Sequence, residues 1–315
     1  MGIGTINPLA SVHITGSAII EGLTIGRGSG TIVTNTVFGS GSLRNNTTGI
    51  QNSAFGHRAL ASNTTGNNNN AFGFGSLQNN TTGKNHSAFG YKALYNANGN
   101  YSYAPTVGSS AFGYLALASD NGQGLNSAFG SHALKNNTSS GIGNNAFGAY
   151  ALVSNTTGGT NNAFGLSALG FNTIGNSNNA FGNSALVFNT TGEYNNAFGE
   201  RALYRNTTGR VNSSFGHLAL ANVNGLANSA FGYGAARGTT SGTVSFNGVC
   251  AFGSKALYAN QTDNNCAFGQ DALRFNTVGV GNNAFGYVAL RENTTGINNN
   301  AFGYRALASN ITGLC

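Results

Sequence analysis

What this sequence has least of is charge. Asp, Glu, Lys and Arg together make up 7% of its 315 residues, and only seven of these are acids. Carboxylate catalysis on a repetitive scaffold needs two acids converging within roughly 5–9 Å. Glu21, Asp120, Glu193, Glu200, Asp263, Asp271 and Glu292 never share a repeat position in neighbouring repeats, so a non-enzyme is expected. The five histidines (13, 57, 86, 132 and 217) fall in no metal-ligand spacing, and no metal or other cofactor is expected. Three cysteines, Cys250, Cys266 and Cys315, are too few for a disulfide framework. No apolar run approaches the roughly 20 residues of a membrane helix, so no membrane insertion is expected. The net charge of +7 is scattered without a Lys/Arg run, which argues against nucleic-acid arms and polybasic anchors. The start, MGIGTINPLASVHITG, has neither a charged n-region nor an apolar h-region, so no secretory signal is read there.

What fills the chain instead is Gly (49 residues), Asn, Ser and Thr, and it is strictly ordered. With the Phe of each Phe-Gly pair as position 0, Phe falls at 38, 55, 72, 89, 112, 129, 147, 164, 181, 198, 215, 231, 252, 268, 285 and 302. Ten of the fifteen spacings are 17 residues, and only two are long, at 23 and 21. Phe at 0 and Gly at +1 are present in all sixteen units, while Leu at +5 fails only at Ala236. Ala recurs at −1 and +4, and Asn at −3 and +8, the latter often followed by Thr-Thr-Gly.

Seventeen residues are too few for a helical repeat, and Gly and Asn are poor helix formers. Short apolar runs between Asn/Gly turns read as strands. The expected fold is therefore all-β: a parallel β-solenoid of about 16 coils, each with two short strands, stacked at ~4.8 Å into a rod of roughly 75 Å. Residues 1–35 lack the repeat and are expected to form a capping or attachment segment before the solenoid of residues 36–315. The chain stops one turn past its last unit, where truncation, processing or docking on another protein is expected.

The nearly invariant large columns are expected to stack inside: Phe55, Leu60, Phe72, Leu77, Phe164, Leu169, Phe302 and Leu307 represent this core ladder. By strand alternation the small Ala columns at −1 and +4 would then form an outer face against which something packs. Asn at −3 and +8 would form amide ladders in the turns. Columns +2, +3, +6 and +7 vary most and are expected outside. Column +2 is aromatic in three consecutive units, Phe74, Tyr91 and Tyr114, and the longest insertion adds Tyr95, Tyr101 and Tyr103. These six are the candidate contact patch for a receptor or glycan. Cys250 and Cys266 share column −2 in adjacent units, as either a disulfide or two stacked thiols.

The unit NSAFGHRALASNTTG resembles the head repeat of YadA-type trimeric autotransporter adhesins, N-S-V-A-I-G-x-x-A-x-A-x-G, over residues 36–315. That resemblance implies a left-handed parallel β-roll and a homotrimer. The units here are longer, Phe replaces the family's Ile, and NTT lengthens one turn. GIGTINPLASVHITG is similar to the G-I-G-T-x-x-P segment found near repeats in phage tail fibres and comparable surface proteins. Together they imply a structural, non-catalytic fibre on a virion or bacterial cell surface, hence extracellular. One end would join a virion or cell-surface protein, and the partner would be a host surface glycan or protein rather than nucleic acid. The rival readings are an ice-binding solenoid, which needs a flat Thr array, and a polysaccharide-degrading spike.

Overall fold

A computed structural model describes residues 2–3, 13–14, 18–20, 22–29, 32–98, 108–121, 125–138, 140–239 and 242–313. Among them there is no helix, and so none that is long and apolar enough to cross a membrane. The chain divides into two compact units, Met1–Ala146 and Phe147–Cys315. In the first, β1 (Gly2–Ile3) pairs in parallel with β2 (His13–Ile14). Next come β3 (Ala18–Ile20), β4 (Leu23–Gly26), β5 (Thr36–Gly39), β6 (Ser53–Phe55), β7 (Asn70–Phe72), β8 (Ser87–Phe89), β9 (Ser110–Phe112) and β10 (Ser127–Phe129). The division falls within β11 (Asn145–Phe147). The second unit holds β12 (Asn162–Phe164), β13 (Asn179–Phe181), β14 (Asn196–Phe198), β15 (Ser213–Phe215), β16 (Ser229–Phe231), β17 (Cys250–Phe252), β18 (Cys266–Phe268), β19 (Asn283–Phe285) and β20 (Asn300–Phe302).

Within each unit every repeat strand pairs in parallel and in register with the next, as Ala163↔Ala180 and Phe164↔Phe181 do across β12 and β13. The chain is a parallel β-solenoid of about 15 turns with a repeat of ~17 residues. The strand edge of the first coil is occupied by β4, which runs antiparallel to β5 and folds back on β3. That pairing satisfies backbone groups that an open edge would leave exposed.

The interior is the reverse of the expected one in three columns, Ala at −1 and +4 and Phe at 0. Ala at −1 and +4 is buried in coil after coil, as Ala163, Ala168, Ala180 and Ala185 show at 0% exposure. Leu60, Leu77 and Leu169 are fully buried as expected. Phe55, Phe72 and Phe164, expected inside, are half-buried on the outer surface, and Phe302 is 69% exposed. Leu307, in the last coil, is 40% exposed, since only one neighbouring coil covers it. The reason is cross-section. One level already holds two Ala, one Leu and two Asn side chains, and adding a phenyl ring would overpack it. The middle residue of a three-residue strand points inward, and here that residue is Ala.

Among the described residues each coil also has one strand rather than two. The run after Gly at +1 is a pair of overlapping tight turns: Ala168 N–H donates to Gly165 O (3.3 Å) and Gly170 N–H to Ser167 O (3.0 Å). Their third residues, Ser167 (φ 55°) and Leu169 (φ 51°), are left-handed. A left-handed L-residue costs roughly 1–2 kcal/mol, and full burial of a Leu returns about 1.5–3 kcal/mol. Leu is therefore tolerated where Gly would be conformationally easier. Backbone bonds still join the coils here, with Leu169 N–H reaching Ala185 O at 3.0 Å and Ser167 N–H reaching Ala149 O at 2.9 Å.

Two buried Asn ladders close each coil. Asn189 Nδ2 donates to Asn172 Oδ1 one coil earlier (2.8 Å) and to its own turn at Gly192 O (3.0 Å). Asn178 Nδ2 donates to the same Gly192 O at 2.8 Å, and its Oδ1 accepts the Asn195 backbone N–H at 3.0 Å. The Gly column at +1 is fixed by close approach. A Cβ on Gly182 (φ 142°) would lie 2.5 Å from the Gly199 carbonyl oxygen.

The two long spacings break the ladders in opposite ways. At the first, columns −3 and +8 carry His86, Ser109 and Asp120, all fully buried. Ser109 Oγ donates to Asp120 Oδ2 (3.2 Å) and Ser109 N–H to His86 Nδ1 (3.1 Å). At the second, Val223, Val249 and Phe246 are fully buried and make an apolar plug, with the Phe246 carbonyl taking over as acceptor for Asn228 Nδ2 (2.8 Å). Where Ala97 and Val223 replace ladder Asn, Asn80 Oδ1 and Asn206 Oδ1 have no hydrogen-bond partner among the described residues.

Backbone continuity at both breaks is rescued by a side chain. In a regular step, the N–H groups of Thr64, Thr65 and Gly66 converge on Thr81 O at 2.8–3.3 Å. At the second break Thr207, Thr208 and Gly209 converge instead on Asn224 Oδ1 at 2.9–3.0 Å. At the first, Asn98 Oδ1 accepts from Thr81 N–H at 2.8 Å.

Candidate functional site

Three surface features stand out from this frame. The first is the Phe column. In the second unit ten rings, Phe147 to Phe302, stack with successive centroids 4.6–4.9 Å apart and planes within 9°. In the first unit Phe55, Phe72, Phe89, Phe112 and Phe129 do the same at 4.6–4.7 Å. The spacing is that of parallel strands, so in-register pairing imposes the stack.

The second feature is the aromatic column at +2 in the first unit. Phe74, Tyr91 and Tyr114 form one exposed, stacked run at 5.2–5.3 Å. His57 continues it at one end (5.2 Å, stacked) and His132 at the other (5.2 Å, tilted). Burial, and then the Lys135 charge, holds the His132 imidazole below its ordinary pKa. Tyr95 lies beside the run: Lys92 Nζ sits 5.2 Å from its ring centroid and 5.4 Å from that of Tyr91, and Gln78 Nε2 donates to its hydroxyl at 3.3 Å. Tyr101 and Tyr103 lie outside the described residues. The aromatic run was legible in the sequence but its histidine ends were not, since His57 breaks the Phe/Tyr pattern of column +2 and His132 lies in column +3.

The third feature was not singled out from the sequence. In the second unit an open cleft of about 530 Å³ is lined by Phe171, Phe188, Thr190, Tyr204, Arg205 and Thr207, with Thr243 from the second insertion. Phe171 and Phe188 are exposed and stack at 5.3 Å, and Tyr204 meets Phe188 edge-on at 5.1 Å. A polar cleft of about 220 Å³ adjoins it through Tyr204 and Arg205 and adds Arg201 and Arg237. Arg201 lies over the Tyr204 ring (5.7 Å), while Arg237 stacks on Tyr258 (5.4 Å) and donates to its hydroxyl. The available signal was column +7, which reads Phe171, Phe188, Arg205 in consecutive units.

Cys250 and Cys266 are register partners on β17 and β18, and both are free thiols. The disulfide alternative is not realised. In-register side chains on parallel strands keep the strand spacing of about 4.8 Å, beyond the roughly 3.5–4.5 Å between Cβ atoms that a disulfide needs. Burial, then the neighbouring Cys250, raises the Cys266 pKa above that of an ordinary thiol. Among the described residues no three His, Cys, Asp or Glu side chains gather as a metal ion would require. No protein-family model matches the chain, and no curated protein matches it.

Proposed function

We propose that this chain is a structural, adhesive solenoid. In this reading each chain coils as a left-handed β-roll, three chains assemble as a homotrimer, and the fibre projects from a virion or bacterial surface and attaches to a host surface without catalysis. The observation that carries the reading is the half-exposed Phe ladder. A regular apolar stripe of ten rings in one unit is a surface that water disfavours, and contiguous apolar patches mark interaction sites. Its repeat is set by the coil spacing, so the surface best matched to it is the same stripe on another copy. The seam is thus assigned to Phe, in place of the Ala columns that fill the interior. The resemblance of the repeat to YadA-type adhesin heads supports three copies, and the GIGT segment supports a fibre. The aromatic column Phe74, Tyr91 and Tyr114 is the proposed contact surface, being exposed and amphipathic. The ice-binding alternative loses support from the first Thr of the NTT turns, since Thr64 Oγ1 donates to Thr81 O (3.0 Å) and Thr156 Oγ1 to Thr173 O (3.0 Å) instead of facing out in an array.

Molecular mass in solution tests the reading. A mass three times that of the chain is expected, and a stable monomer at micromolar concentration would overturn it. Binding of labelled protein to host cells tests adhesion, and is expected to fall when Tyr91 and Tyr114 are both changed to Ala.

A further inference from the structure

The paired clefts of the second unit combine two chemistries side by side. One half is an aromatic ridge: Phe171 and Phe188 stacked and exposed, with Tyr204 edge-on to Phe188. The other half is cationic: Arg201, Arg205 and Arg237, with no acid among the residues lining either cleft. The Arg205 guanidinium makes no ion pair or hydrogen bond with the described residues. Arg237 is held in place by Tyr258, yet its Nε is buried without a partner among the described residues. Three guanidinium groups without counter-charges raise the local positive potential and leave bidentate donors free for a carboxylate. The column runs along the stack, so from Phe171 through Phe188 to Arg205 the ridge advances about 4.8 Å per coil.

We propose that this double cleft binds an acidic oligosaccharide, with sugar faces lying along Phe171 and Phe188 and a sugar carboxylate held by Arg205 and Arg237. The site names a ligand class for the adhesive reading above and rests on it. A nucleic acid strand would supply anions too, but its bases need gaps between aromatic platforms. Phe171 and Phe188 are closed on each other at 5.3 Å with planes 8° apart. Pyranose rings need only the exposed outer edge and face of the ridge. Thr190, Thr207 and Thr243 edge the aromatic half with the hydroxyl-bearing residues that such ligands meet.

The test uses the full chain and four probes, one of them an oligothymidylate, with ligand-observed saturation-transfer NMR and titration calorimetry as readouts. Trigalacturonate and sialyllactose distinguish a uronic from a sialic acid as the source of the carboxylate, and maltotriose is the neutral control. Binding of either acidic probe is expected at least ten-fold tighter than maltotriose and weakened by added salt. Arg205→Gln with Arg237→Gln should remove that ten-fold preference, and Phe171→Ala with Phe188→Ala should weaken binding of the same probe at least five-fold. Phe171 and Phe188 are exposed and Arg205 and Arg237 half-buried, and unchanged melting curves will show that the variants fold. The proposal is overturned if neither acidic probe binds at millimolar concentration, if maltotriose binds equally well, or if the arginine variant binds unchanged. Tighter binding of an oligothymidylate would overturn it as well. Host-cell binding separates the two claims. If these variants leave it intact while Tyr91→Ala/Tyr114→Ala abolishes it, the cleft assignment fails and the adhesive reading stands.

Discussion

Phe164 and Phe181, one coil apart, lie with ring centroids 4.7 Å apart and planes within 5°. Each ring has another stacked on its far side, Phe147 at 4.7 Å and Phe198 at 4.7 Å. Aromatic pairs add about 0.5–1.5 kcal/mol beyond simple burial. Because the rings are only half-buried, Phe181→Ala should cost the single chain about 1–2 kcal/mol, below the roughly 3–5 kcal/mol of a core Phe. Phe164→Asp with Phe181→Asp should act mainly on assembly, with analytical ultracentrifugation reading a lower mass at unchanged circular dichroism.

The Asn ladder predicts a larger effect from a smaller change. Asn189→Ala removes the donor to Asn172 Oδ1 and one of the two donors to Gly192 O, in a fully buried column. A buried polar group left unpaired costs about 1–3 kcal/mol. Chemical denaturation should show a loss of at least that size, and Asn189→Leu should not recover it. The apolar replacement at Val223 is accommodated because Phe246 and Val249 are buried at the same break.

Gly182→Ala should be among the most damaging single substitutions. Its added Cβ would meet the Gly199 carbonyl oxygen at 2.5 Å, a backbone atom that cannot turn aside, at a φ of 142°. A loss above about 3 kcal/mol, or failure to fold, is the expected outcome in thermal melts.

Leu186 (φ 50°, fully buried) separates conformation from packing. Leu186→Ala should cost about 2–5 kcal/mol for the lost volume. Leu186→Gly loses the same contacts but gains about 1 kcal/mol from the left-handed backbone. The two variants should therefore melt within a few degrees of each other, whereas in a right-handed site Gly would be clearly worse.

Cys266 gives a pH test. Its thiol pKa is raised by burial and by Cys250, so at about pH 8 it carries less thiolate than an ordinary cysteine and should react more slowly with iodoacetamide. Cys250→Ser should speed that reaction. For stability the sign follows from tighter proton binding in the folded state. The contribution is complete below the ordinary thiol pKa and is lost as pH rises from there through the raised folded value.

The period and register were legible because Phe and Gly never leave their columns, and each is held there by its copy in the next coil. The orientation of Phe was not legible. Its size argued for the core, but the identity of the strand residue facing inward depends on how much one coil encloses, and Ala, Leu and two Asn already fill it. The second strand was misread for a related reason: the run after Gly looks extended in composition, and nothing in Leu169 announces a φ of 51°. The aromatic run at Phe74 was legible as consecutive identical chemistry. The cleft was not, because it draws on columns +6, +7 and +9 and on the second insertion at once.

Asn98 and Asn224 put a side-chain oxygen where the neighbouring coil looks for a backbone carbonyl. The backbone of the coil before each insertion therefore makes nearly the bonds it would make to an ordinary turn, even though the side-chain ladder is interrupted there. In evolutionary terms these two asparagines are sockets. A loop emerging there can change in length or composition without retuning the levels beneath it, so the frame can stay constant while what it displays diversifies.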